Sequence, residues 1–176
     1  FTEHLRVEAA AYQNTLRNCL AREDIGMDWR WANIGRVETF GAEGSLEYRK
    51  GKWLAYLNYT YTDSEDEHGA IIPEISRHTA NAGFQYAFTD HLNVDLRGQY
   101  LGKRKSTHAI GYSGTDWVDD AFVLHGALNV TDIHGFDFQV AVKNMLDEKY
   151  FHTSDTSVSR YRQPQSAVTV KVSKAF

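Results

Sequence analysis

The chain has 176 residues, enough for one domain, and a net charge of −4 that gives no basic face for nucleic acid. One cysteine, Cys19, excludes an internal disulfide framework, and no run of about 18 apolar residues exists to form a transmembrane helix. The opening "FTEHLRVEAA" lacks the basic start and apolar stretch of a signal peptide, so composition alone describes a soluble, aromatic-rich β protein.

The pattern along the chain points elsewhere. Strict alternation of apolar and polar residues, the signature of a strand with two different faces, occurs eight times. First, Leu5, Val7, Ala9 and Ala11 oppose Arg6 and Glu8. Next, Phe40, Ala42, Leu46 and Tyr48 oppose Thr39, Glu43, Ser45 and Glu47. "WLAYLNYTYT" sets Trp53, Ala55, Leu57, Tyr59 and Tyr61 against Asn58, Thr60 and Thr62. "NAGFQYAF" sets Ala82, Phe84, Tyr86 and Phe88 against Asn81, Gly83 and Gln85. Leu92, Val94, Leu96 and Tyr100 then oppose Asn93, Asp95, Arg97 and Gln99. "FVLHGALNV" places Phe122, Leu124, Leu128 and Val130 opposite His125, Ala127 and Asn129, and "FDFQVAVK" places Phe136, Phe138, Val140 and Val142 opposite Asp137, Gln139 and Lys143. Last, Val168, Val170, Val172 and Phe176 alternate with Thr169, Lys171 and Ser173.

The connections alternate as well. Short ones are expected at Lys50-Gly51, Thr89-Asp90 and Asp132 to Gly135; long polar ones at 18–30, 63–76, 104–116 and 146–160. Short turns at one end and long loops at the other are the layout of an outer-membrane β-barrel rather than of a sandwich. The charged parity carries Glu43, Glu47, Asp95, Arg97, Asp137 and Lys143. Burying these in a narrow dry interior would cost several kcal/mol each unless paired, whereas a wide wet lumen accepts them and leaves the apolar parity for lipid. Trp53, Tyr59, Tyr61, Tyr86, Phe88 and Tyr100 fall toward strand ends, where interfacial aromatic girdles form. The fold class is therefore all-β: antiparallel transmembrane barrel strands.

Three stretches sharpen this into a resemblance. "NIGRVETFGAEGSLEY" (33–48), through Asn33, Gly35, Gly41 and Glu43, looks like a strand of TonB-dependent outer-membrane receptors. "IPEISRHTANAGFQY" (72–86) is similar to that family's Pro-containing loop running into a His-Thr-Ala-Asn strand start. "VAVKNMLDEKYF" (140–151), through Val142, Asn144, Leu146, Asp147 and Tyr150, resembles its Val-x-Asn-Leu-x-Asp-x-x-Tyr stretch. The final strand, with Val168, Val170, Val172 and Phe176, resembles the assembly signal that such barrels present to their insertion machinery. Lys174 departs from that pattern as a rim charge able to snorkel. "RYRQPQSA" keeps Arg162 but has Pro164 where the family often shows Gly-Arg. As local chemistry, Gly41 admits a neighbouring side chain against its strand, and Asn144 and Asp147 suit a turn.

The resemblance implies the last eight strands of a barrel of about 22, located in the outer membrane of a Gram-negative bacterium. It implies energised import of a scarce nutrient such as a ferric siderophore, haem, cobalamin or a glycan, with no enzymatic step and no cofactor. Implied partners are outer-membrane lipid, the remaining barrel and plug of the same receptor, TonB acting through that missing part, and a small-molecule or metal-chelate ligand. Candidate ligand-facing residues lie in two long loops: Arg104, Lys105, His108, Tyr112 and Trp117 in one, and Tyr150, His152, Arg160 and Tyr161 in the other. Their basic and aromatic side chains suit anionic chelates; the plainer alternative is solvated loops and girdle aromatics. His68, His78, His108 and His152 have no ligand-like spacing, so no metal site is expected. "EDEHG" (65–69) reads as a solvated loop tip, no nucleophile elbow occurs, and Cys19 is either free or paired outside this chain. The competing architecture is a self-contained eight-stranded barrel acting as adhesin, anchor or interaction subunit, which requires the first and last strands to pair.

Overall fold

A computed structural model describes residues 2–33, 35–106, 117–154 and 160–174. Within these, the regular structure is all strand. The chain begins with β1 (Leu5–Arg17), a short hairpin of β2 (Leu20–Ile25) and β3 (Asp28–Asn33), then β4 (Arg36–Lys50), β5 (Trp53–Asp66), β6 (His78–Ala87) and β7 (Leu92–Leu101). A two-residue pair follows, β8 (Arg104–Lys105) with β9 (Trp117–Val118), before β10 (Ala121–Ile133) and β11 (Phe136–Lys143). The small hairpin of β12 (Phe151–Thr153) and β13 (Arg160–Arg162) precedes β14 (Ala167–Lys174).

The eight long strands form one antiparallel meander in the order β1-β4-β5-β6-β7-β10-β11-β14. These are the eight segments whose side chains alternate in the sequence. The alternation also sets the register, because a one-residue slip would turn a whole strand over. Along one row, Val7 faces Leu46, Leu46 faces Leu57, Leu57 faces Ala82 and Ala82 faces Gly98. Farther on, Val94 faces Leu128, Leu128 faces Val140 and Val140 faces Val170. The apolar parity is thus continuous across all eight strands.

Among the described residues, no protein layer covers that face. Phe138 and Val140 are each 41% exposed, and Val170 is 67% exposed. The buried hydrophobics among the described residues are only Val37, Val118, Ala121 and Val123. A soluble sandwich would have placed Phe138 and Val170 in its centre; here they form an outside surface.

The opposite face is a hydrogen-bonded polar lattice. Gln139 donates to Asn129 (2.7 Å) and Asn129 to Asn93 (2.9 Å), joining three strands. Asp95, 9% exposed, accepts from Gln85 (2.5 Å) and from Arg97 Nε (2.8 Å). Its charge is therefore paired and its oxygens satisfied, the condition on which a buried carboxylate is tolerated. Two tyrosines on this face, Tyr12 and Tyr56, lay their rings over Gly41 and Gly83 of neighbouring strands, where any Cβ would overlap the ring. The expectation for Gly41 is met in this way.

Aromatic side chains gather at both ends of the apolar face. At the short-turn end, the Trp53 ring lies 4.3 Å from Tyr86 and 5.4 Å from Phe84, and Tyr86 meets Phe88 at 4.8 Å. There the Lys174 ammonium sits 4.9 Å above the Phe136 ring, as a snorkelling rim lysine should. At the long-loop end, Tyr61 meets Phe40 at 6.4 Å and His78 at 5.3 Å. Trp53 and Tyr61 are eight residues apart on one strand, about 26 Å along it and about 20 Å along the membrane normal at the usual tilt, which lies within the roughly 25 Å band of an outer-membrane barrel.

Several expected boundaries shift. β5 runs on to Asp66, into the segment expected as loop from residue 63. β10 reaches Ile133 through a register shift after Val130, so the third short turn is confined to His134-Gly135. The long connections at 18–30, 104–116 and 146–160 contain or border the small hairpins, and Trp117 belongs to β9 rather than to a loop. Finally, β1 and β14 are the two sheet edges; among the described residues they pair with β4 and β11 and not with each other. The pairing needed by a closed eight-stranded ring is not formed by these residues.

Candidate functional site

The described candidate ligand-facing residues fall at the long-loop end. His108 and Tyr112 lie outside the described residues, as does Phe176 of the terminal pattern. Of the others, Lys105 stands opposite Trp117 in the β8–β9 pair, and His152 stands opposite Tyr161 in β12–β13. The Tyr150 and His152 rings are 5.9 Å apart, and the Arg160 guanidinium lies 4.4 Å from the Phe151 ring centre. The structure therefore gathers them into two small groups, one per hairpin.

Two bridges join the groups. Arg104 is 7% exposed, and its Nη2 donates to the Phe151 carbonyl (2.8 Å) while Nη1 reaches the Gly102 carbonyl (3.3 Å). Ser106 donates to the Ser154 carbonyl and accepts from the Ser154 amide, both at 3.1 Å. Arg104 thus points into the loop layer instead of outward. Burial lowers its pKa from the ordinary guanidinium value, and partial burial together with the Arg104 charge lowers that of His152.

A third loop is tied to the same layer. The Glu74 amide donates to the Lys105 carbonyl (2.7 Å), the Gly102 amide to the His78 carbonyl (2.8 Å), and Ser76 Oγ to the Gly102 carbonyl. Within that loop the Asp66 carboxylate accepts from the amides of His68 and Ala70, so "EDEHG" is a self-capped tip. These bonds, the Ala70 amide first, hold Asp66 below the usual carboxylate range. The described residues contain no cluster of His, Cys, Asp and Glu able to hold a metal.

The third motif stretch, 140–151, closes the end of β11. Asn144, 2% exposed and at φ 49°, donates from Nδ2 to the carbonyls of Glu148 (2.9 Å) and Pro164 (3.3 Å) and accepts from the Glu148 amide (2.9 Å). The Asp147 carboxylate accepts from the Ser166 amide (2.9 Å) and from Gln165 (3.1 Å). The turn expected for Asn144 and Asp147 is therefore present, and it anchors the start of β14 as well. Sequence reasoning missed the Ser106–Ser154 clamp, because isolated serines in polar loops carry no pattern. It also missed Tyr12 and Tyr56, although a tyrosine on a polar parity opposite a cross-strand glycine is a readable signal once the register is known.

The family described as TonB dependent receptor-like, beta-barrel, matches residues 1–145. The chain belongs to that family. The probable TonB-dependent siderophore receptor PirA of Acinetobacter baumannii is 25% identical over 163 residues, covering 84% of this chain and 22% of the relative. The crystal structure of the siderophore receptor PirA from Acinetobacter baumannii superposes with a TM-score of 0.79 at 19% identity, over 100% of this chain and 30% of that one. The ferric-catecholate import receptor Fiu of Escherichia coli K12, in its closed form, gives a TM-score of 0.78 at 19% identity, over 97% of this chain and 25% of that one. This chain spans between about a fifth and a third of these relatives' lengths. It is a TonB-dependent receptor barrel segment, and the family's setting is the outer membrane of Gram-negative bacteria.

Proposed function

We propose that this chain supplies eight consecutive strands, the C-terminal ones, of a larger receptor barrel that imports a ferric siderophore or a similarly scarce nutrient. Its apolar parity meets lipid, its polar lattice lines the water-filled lumen, and the remaining strands continue from the edges of β1 and β14. The plug and the segment that engages TonB belong to the rest of the receptor. The observation that carries this reading is the continuous, uncovered apolar face backed by a satisfied polar one, in a chain of the TonB-dependent receptor family.

The ligand meets the long-loop end, where Lys105, Trp117, Tyr150, His152, Arg160 and Tyr161 offer cationic and aromatic groups for an anionic metal chelate. Arg104 contributes by positioning the loop carrying Phe151. The chemistry here is recognition, with no bond made or broken in the ligand. Growth under iron limitation, with and without the gene, tests the reading together with accumulation of a labelled ferric chelate in energised and de-energised cells. Energy-dependent accumulation lost on deletion is the expected result; accumulation independent of the gene contradicts it.

A further inference from the structure

The β12–β13 hairpin has two faces, and its register separates them. Phe151 stands opposite Arg162 and Thr153 opposite Arg160, while His152 and Tyr161 share the other side. The sequence candidates are therefore divided, and Arg162, absent from them, joins Arg160 beside Phe151. Three arginines surround that residue. The Arg160 guanidinium lies 4.4 Å from the ring centre, Arg162 occupies the cross-strand position, and Arg104 donates to the Phe151 carbonyl.

Their partners distinguish them from arginines elsewhere in the chain. On the wall, Arg6, Arg49, Arg77 and Arg97 each hold a carboxylate, of Glu8, Glu47, Asp63 and Asp95 respectively. Among the described residues the three around Phe151 hold none. Arg104 has two carbonyls, Arg160 has the ring, and Arg162 has the Gln165 side-chain oxygen at 2.9 Å. Over residues 104–106, 147–154 and 160–165, Arg104, Lys105, Lys149, Arg160 and Arg162 are set against only Asp147 and Glu148. Asp147 is itself engaged by the Ser166 amide and by Gln165. Base therefore exceeds acid here, and the excess favours an anion. Arg104, 7% exposed, is too buried to meet a ligand, but its charge is felt at the hairpin surface. After burial itself, that charge is what lowers the His152 pKa.

We propose that the Phe151 face of this hairpin selects the ligand by charge. It takes a chelate bearing several negative charges, whose oxygens reach Arg160 and Arg162, with Arg104 behind them as a positioning residue. This rests on the import reading and adds to it the charge class of the ligand. A neutral chelate of the same shape gains nothing from the three arginines. An acid supplied by the rest of the receptor would satisfy them permanently, and the test separates the two.

The probes are two gallium(III) complexes on one tripodal scaffold: a tris-catecholate with three negative charges and a neutral tris-hydroxamate. Their affinities for the full-length receptor in mild detergent are measured by equilibrium dialysis at low and high salt. The anionic complex binds more tightly by about tenfold or more, as one charge-assisted hydrogen bond predicts, and added salt shrinks the advantage. Arg162→Gln lowers affinity for the anionic complex about tenfold and leaves the neutral one unchanged. Arg104→Met lowers the ratio of the two affinities, and Arg104→Lys restores part of it. Equal weakening of both complexes by Arg104→Met would overturn the part assigned to Arg104. Equal affinities in the unaltered receptor, the result an internal acid would give, overturn the subsite. So does a preference unchanged by both Arg160→Gln and Arg162→Gln. Binding of neither complex also overturns the subsite, while the import reading stands or falls separately on energy-dependent accumulation.

Discussion

Gly83 and Tyr56 set out the residue-scale logic of the polar face. The Tyr56 ring occupies the space that a side chain at position 83 would need, so Gly83→Val forces a rigid ring or a strand to move. Overpacking of this kind costs about 1–3 kcal/mol. A fall in the thermal midpoint of the full-length receptor is the expected result, and an unchanged midpoint would remove the packing role. Asn144 is the second case. It is buried, and Asn144→Ala leaves the Glu148 amide and the Glu148 and Pro164 carbonyls short of a partner. Glu148 is half-buried and Pro164 exposed, so water recovers part of the loss, and the substitution costs about 1–3 kcal/mol in all. Denaturation in lipid vesicles should show the loss, with proteolysis beginning near residues 144–166. That Asn144 would lie in a turn was legible from the side-chain chemistry of Asn144 and Asp147; that it would be almost inaccessible was not. Its burial depends on the return of Pro164, twenty residues away.

At the scale of elements, the two faces of β11 make opposite demands. Val140 lies on the uncovered apolar parity, while Gln139 donates to Asn129 on the other side. A lysine on the lipid face near the midplane costs about 2–4 kcal/mol, whereas lumen positions are tolerant. Val140→Lys should therefore cut the yield of assembled receptor sharply and Gln139→Lys only slightly, measured as the heat-modifiable folded band from outer membranes. Equal losses would contradict the assignment of faces. The tied loops have a pH dependence of their own. His152 has its folded pKa lowered, so the unfolded loop takes up a proton first as pH falls through the ordinary value of 6.5. Stability contributed by neutral His152 is thus present above that pH and is lost below it. The protection of residues 102–106 and 151–154 against hydrogen exchange, taken relative to the intrinsic amide rate at each pH, should fall between pH 7.5 and 5.5, and His152→Gln should flatten the change. All eight long strands were legible because side-chain alternation survives in each. The hairpins were not: β8–β9 and β12–β13 are two or three residues long, and in β2–β3 charges at Glu23, Asp24, Asp28 and Arg30 interrupt the apolar period.

For the whole molecule, the open edges matter most. β1 and β14 each pair on one side only among the described residues, and unpaired backbone cannot remain exposed in hydrocarbon. The larger-barrel proposal places further strands of the receptor against both. The direction of the apolar face was read from composition alone: Asp95, Arg97 and Asp137 share one parity, and Phe84, Phe138 and Val170 the other. What alternation could not supply was the coupling of three loops through Gly102, Arg104 and Ser106, because those contacts join residues far apart in sequence by single hydrogen bonds. The central claim is that lipid wets one parity and water the other. Spin labels placed singly at Phe138, Val140, Val170, Asn129, Gln139 and Lys171 in the full-length receptor, with Cys19→Ser as background, test it by collision with oxygen and with a water-soluble nickel chelate. Greater oxygen access at the first three and greater nickel access at the last three is the predicted result; the reverse pattern, or no difference between the parities, would contradict the account.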